Sequence, residues 1–124
     1  MIGLFHSGVD YTYNNENENT YKNENASRLV AEKVDGFDLI FVGHDHSGWN
    51  FTTKSPSGKD VLILGTTASA QNVAVASYTL KYDKMCMIYD KKEITGELVD
   101  MKDYPIDMNF INHFKENLDE VKDY

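Results

Sequence analysis

The sequence predicts an α/β fold with a β-rich second half. Three observations carry this reading. Two short apolar runs, within Ile2–Phe5 and at Leu39–Val42, flank a stretch of helical periodicity, and a long alternating run follows from Val73 to Tyr82. Four apolar residues are too few for a buried helix, and runs containing Ile and Val suit strands buried on both faces.

Taken in order, Ile2-Gly3-Leu4-Phe5 is the first strand, and it ends in His6-Ser7-Gly8. From Asp10 to Asn25 the chain is rich in Asn and Glu, with Tyr11, Tyr13 and Tyr21 interspersed. Such a stretch lacks the apolar surface to build an element, so a loop is expected, either packed by its tyrosines or disordered. A helix begins around Glu24, where Ala26, Leu29, Val30 and Val34 recur at three- and four-residue spacing. Asn25 or Ser27 serves as its N-cap, and Gly36 ends it.

Leu39–Val42 is the second strand. Strand, helix, strand makes a βαβ unit from Ile2 to Val42, and such crossovers place the two strands parallel. Gly48 to Lys59, with Pro56, Ser57 and Gly58, reads as a loop or hairpin turn. Val61–Leu64 is a further buried strand closed by Gly65, and Val73–Tyr82 alternates between two faces. A two-residue turn at Asp83-Lys84 returns the chain through Met85–Tyr89, and Ile94–Val99 adds another strand with Gly96 as a bulge. Cys86, the single cysteine, is expected to be a buried thiol. After Pro105, the positions Phe110, Ile111, Phe114, Leu118 and Val121 form an apolar helical stripe capped by Asp107 or Asn109. His113 on that helix is expected to be structural or solvent-facing, since no other ligand type gathers near it.

The chemistry concentrates at Gly43-His44-Asp45-His46, directly after the second strand. In α/β sheets, sites collect where strands end and the chain turns out of the core. His-x-His on a turn can direct two imidazoles to one side, as metal sites require. Taken alone this is an ordinary polar loop, but the first strand also ends in a histidine. If the two strands are parallel neighbours, about 4.8 Å apart, His6 and His44 emerge at the same sheet edge and can reach one ion.

Composition excludes several classes. With 124 residues the chain makes one domain at most, and its 41% hydrophobic and 12% aromatic content is that of a globular protein. No apolar run approaches the roughly 20 residues needed to span a bilayer, so no membrane partner is expected. No basic n-region precedes the first strand, so no signal peptide is expected. A net charge of -8, with twelve scattered Lys and Arg residues, opposes binding of a nucleic-acid backbone. It leaves open a small phosphate ester drawn to a bound cation.

These residues carry a family resemblance. Leu4-Phe5-His6-Ser7-Gly8, Glu24-Asn25-Ala26, Gly36-Phe37-Asp38-Leu39-Ile40 and Gly43-His44-Asp45-His46 resemble the carboxyl-terminal half of a calcineurin-like metallophosphoesterase domain. The similarity is to the bacterial 5′-nucleotidase and 2′,3′-cyclic-nucleotide phosphodiesterase branch. Asp103-Tyr104-Pro105-Ile106-Asp107 resembles the exit toward that branch's second domain.

The resemblance implies part of a four-layer α/β/β/α sandwich. Residues 1–107 would form a partial metallophosphoesterase domain, and 108–124 a terminal amphipathic helix resembling the linker to an absent domain. It implies that His6 and His44 ligate one ion and His46 the other, either Zn or Mn, with no catalytic residue in this chain. Asp45 would orient a histidine or face solvent, and Asp10 is a weaker candidate for the same part. The family's first three motifs (DxH, GDxxD and GNH[DE]) have no counterpart here, and with them go the bridging aspartate and the histidine that assists the leaving group.

The expected function is therefore hydrolysis of a nucleotide or other small phosphate ester, once a missing upstream half is supplied. That branch is usually exported, and the chain itself leaves its location open. The alternative is a non-catalytic module that assembles, with a twin chain or another partner, through its exposed sheet edge and tail helix.

Overall fold

The computed structural model describes residues 1–122, without the side chains of residues 90–92. Asp123 and Tyr124, the end of the expected 108–124 tail, lie outside the described residues. The α/β class holds: the chain forms two sheets and three α-helices.

The first sheet has the order β1-β2-β4-β3. β1 (Ile2–Phe5) runs parallel to β2 (Leu39–Val42), with Phe5 opposite Val42. β2 runs parallel to β4 (Asp60–Gly65), and β3 (Trp49–Lys54) closes the other edge antiparallel to β4. Crossing from β1 to β2, α1 (Ser27–Lys33) completes the expected βαβ unit.

Because side chains alternate across a strand, the sheet presents two different apolar faces. One face, with Ile40, Val42, Val61 and Ile63, is buried against Ala31 of α1 and Val9. The other, with Leu39, Leu62 and Leu64, meets Ala74, Ala76 and Ile94 of a second sheet. That sheet is a hairpin of β5 (Asn72–Asp83) and β6 (Ile88–Asp100). The result is three layers, helix on sheet on sheet.

Several expectations are corrected. Trp49–Lys54 is a strand rather than loop; Trp49, Phe51 and Thr53 are half-buried while the residues between them are exposed. Only the turn around Pro56 and Gly58 remains of the expected loop. Ile94–Val99 is not a separate strand but continues β6, and the irregularity of the hairpin falls at Thr79/Leu80 instead of Gly96. The turn is longer than two residues, running between Asp83 and Ile88, and Cys86 lies exposed within it. The Asp83 carboxylate accepts from the backbone N–H of both Met85 (2.8 Å) and Cys86 (3.1 Å), which widens the turn.

Ala26, not Asn25 or Ser27, occupies the N-cap of α1, and no side chain of its own caps the helix. Gly36 sits beyond the helix at φ 103°. In the tail, α2 (Met108–His113) is capped by Asp107, which accepts from Asn109 and Phe110. α3 (Lys115–Lys122) follows after a break at Phe114. His113 packs edge-on against Phe114, 4.9 Å between centroids.

At Gly96 the two sheets approach closely. A Cβ there would lie 2.5 Å from Leu64 Cδ2 and 3.1 Å from Asn50 Oδ1. Asn50 Nδ2 also donates to the Gly96 carbonyl at 2.8 Å, so the approach is fixed by a hydrogen bond. Helix and sheet are tied by Glu32, which accepts from Arg28 Nε (2.7 Å) and from Thr53 Oγ1 of β3 (2.8 Å).

A large apolar surface stays uncovered. Ile2 and Leu4 are 61% and 85% exposed on the face of β1 that the hairpin does not reach. Val73, Val75, Phe110 and Val121 are exposed as well. The chain shows 9415 Å² of accessible surface, against roughly 6,700 Å² for a compact monomer of this mass.

Two outcomes are expected. Gly96→Ala should cost about 1–3 kcal/mol in a urea titration, because Leu64 is fully buried and has no room to yield. Burial pulls the Glu32 carboxyl upward, but the hydrogen bonds from Arg28 and Thr53 outweigh it and hold the group below its ordinary value. Its contribution is therefore present above the ordinary carboxylate pKa and lost as pH falls through the lower, folded value. Glu32→Gln should lose stability at neutral pH and show a shallower acid limb in urea midpoints measured across that range.

Candidate metal half-site

His6 follows β1 and His44 follows β2 by one further residue, at the carboxyl ends of two adjacent parallel strands. Their rings stand 5.4 Å apart between centroids at 73°. Both side chains are exposed, so the pair opens to solvent. The sequence expectation that these two histidines meet at one edge is what the structure shows.

A tight turn sets His44. The Asp45 N–H donates to the Gly43 carbonyl at 3.0 Å, two residues back, with His44 between at φ 76°. This is a γ-turn of positive φ, a strained form. His46 is also left-handed, at φ 54°. Non-glycine residues held this way mark positions where surrounding contacts over-determine the backbone.

The contacts that do so come from Asp45. Its carboxylate accepts from the Val9 N–H (3.0 Å), the Trp49 indole Nε1–H (2.9 Å) and the Ser47 N–H (3.3 Å). These partners replace the expected one. Asp45 is half-buried rather than solvent-facing; it touches no histidine through its carboxylate, and braces the turn that carries His44, between the β1 exit and β3. Asp10 is likewise local: its carboxylate accepts from Thr12 N and Oγ1, and these hydrogen bonds hold it below its ordinary pKa.

The long loop returns to this edge through a set of hydrogen bonds. Gly8 N and Ser7 Oγ both donate to the Glu24 carbonyl, at 3.0 and 2.9 Å. Ser7 Oγ in turn accepts from Ala26 N (3.1 Å), while Ser27 N donates to the Gly8 carbonyl (3.0 Å) and Ser27 Oγ to that of Ser7 (2.9 Å). Gly8 lies close under this loop: a Cβ there would lie 1.9 Å from Asn25 Oδ1, which would have to turn away, and 3.0 Å from Asp45 Cβ. The loop itself is packed, with Asn23 Nδ2 donating to the Tyr11 carbonyl at 2.8 Å.

Clasped in this way, Glu24 brings its carboxylate to 3.3 Å from His44 Nε2. The sequence reading treated Glu24 only as the start of a helix. Its one available signal was its place ahead of Asn25-Ala26 after a loop leaving His6. His6, Glu24 and His44 line one cleft of about 340 Å³. His46 is exposed and does not join them, and no group of three or more His, Cys, Asp or Glu side chains converges on a common ion position among the described residues.

No family model, curated protein or solved structure matches this chain. No helix among the described residues is long and apolar enough to cross a membrane.

Asp45→Ala should cost about 1–3 kcal/mol, because three N–H groups lose their acceptor. Trp49 is the only tryptophan, so the same variant should show a shifted fluorescence maximum before any denaturant is added.

Proposed function

We propose that this chain is the carboxyl-terminal part of a calcineurin-like metal-dependent phosphoesterase acting on nucleotide or similar phosphate esters. Alone it lacks the ligands for turnover. The observation that supports this most is the placement of His6 and His44 on adjacent parallel strands with their rings 5.4 Å apart. Two imidazoles beside a carboxylate suit Zn or Mn.

In this reading His6 and His44 would hold one ion and His46 a second, with the remaining ligands supplied from outside the described residues. Paired ions at such a site supply a clamp on the attacking water and leaving oxygen of in-line phosphoryl transfer. The four-layer α/β/β/α architecture belongs to the same proposal. The open edge of β1 and the uncovered far face of the hairpin are where the absent strands and helix would pack.

A second reading is favoured by the exposed surface. The excess over a compact monomer is of the order that an obligate interface buries. β1, an edge strand of Ile2-Gly3-Leu4-Phe5, carries none of the charges or prolines that blunt strand edges. A non-catalytic module assembling with a twin chain would use that edge and the tail helix.

Metal titration of the purified chain decides between them. With Zn or Mn, wild type should take up one ion, and the double variant His6→Ala/His44→Ala none. Uptake at background in both, together with a stable dimer in sedimentation, would remove the phosphoesterase reading in favour of the second.

A further inference from the structure

A second cavity, about 600 Å³, adjoins the histidine pair. It lies between the 13–25 loop and the Asp45–Trp49 turn, and His44 and Glu24 line both it and the smaller cleft. This volume is in the range that holds a small organic ligand. We propose that it is a binding site for a neutral, hydroxyl-rich ring, a sugar. That this sugar is the one carrying the phosphate rests on the phosphoesterase reading; the pocket itself does not.

Charge narrows the ligand class. Asp10, Glu16, Glu24 and Asp45 line the cavity, against one ammonium, Lys22. Four carboxylates facing one cation repel a phosphate or carboxylate inside the pocket, while hydroxyl groups donate to them well. Asp45 is already engaged by three N–H donors, but Glu16 and the Asn14 and Asn25 amides keep hydrogen-bonding capacity for a ligand. Tyr13 and Trp49 supply the aromatic part of the lining, the residue type that suits the C–H face of a sugar.

The loop that lines the cavity returns to the β1 exit through the hydrogen bonds of Ser7 and Gly8 to the Glu24 carbonyl, which place Glu24 at both the cavity and the smaller cleft.

The test follows Trp49 fluorescence while the full chain, with no metal added, is titrated with methyl glycosides of pentoses and hexoses, and with the corresponding uronates. A neutral glycoside should give saturable binding at about millimolar. Its uronate should bind at least tenfold more weakly at low ionic strength, with the gap closing in salt. Tyr13→Ala, an exposed position that should leave the circular dichroism unchanged, should weaken the neutral sugar about tenfold. A flat titration across the panel overturns the proposal, as does equal binding of the uronate or an unchanged Tyr13→Ala. Sugar binding without metal uptake would remove the phosphoesterase reading and keep this site; metal uptake with no sugar response would do the reverse.

Discussion

The clasp between Ser7-Gly8 and Glu24–Ser27 is the contact on which the rest of this edge depends. Five hydrogen bonds join the exit of β1 to the first turn of α1. They close a loop of Asn and Glu that has no core of its own and must offset the entropy of ordering it. They also do the work of a helix cap, since Ser7 Oγ accepts the N–H of Ala26, where the helix supplies no capping side chain. Ser27, 1% exposed, is a buried polar residue whose hydroxyl and N–H are both used here. Without the clasp, neither Glu24 nor the pocket-lining loop would have a fixed relation to His44.

The parallel βαβ unit was legible because its signals are local. Four-residue apolar runs around a helical stripe leave few alternatives, and chirality then brings both histidines to one edge. β3 was not read because Pro56 and Gly58 dominate the segment, and Trp49-Asn-Phe-Thr-Thr alternates aromatic with polar residues too briefly to outweigh them. The hairpin turn was misjudged for a related reason. Asp83 takes two backbone N–H groups onto its side chain, and nothing in the order of residues distinguishes that from a two-residue turn at Asp83-Lys84. Cys86 goes with the turn: between two methionines it reads as buried, but the turn carries it into solvent.

At the site, the difference between what could and could not be read is one of range. His6 and His44 follow from strand geometry alone. Glu24 and Asp45 act across gaps of 20 and 36 residues, through contacts that only a closed loop creates. Asp45 lies between two histidines in sequence, which invites a role in orienting one of them. Its hydrogen bonds run to Val9, Trp49 and Ser47 instead, so it acts on His44 only through the γ-turn it braces.

The same closure explains why the edge holds strained residues without collapsing. A positive-φ histidine is unfavourable by itself and persists where several hydrogen bonds leave the chain no alternative. Asp45 supplies three of these from one side, and the clasp fixes the opposite wall. The outer edge of β1 has no such support: Leu4 stands 85% exposed beside a strand whose histidine faces the cleft. Hydrogen bonds thus gather on the β2 and loop side of His6, and the β1 side is left open in backbone and side chain alike. The backbone of β1 stays unpaired on its outer edge, and Ile2 and Leu4 stay exposed on the sheet face beside His6.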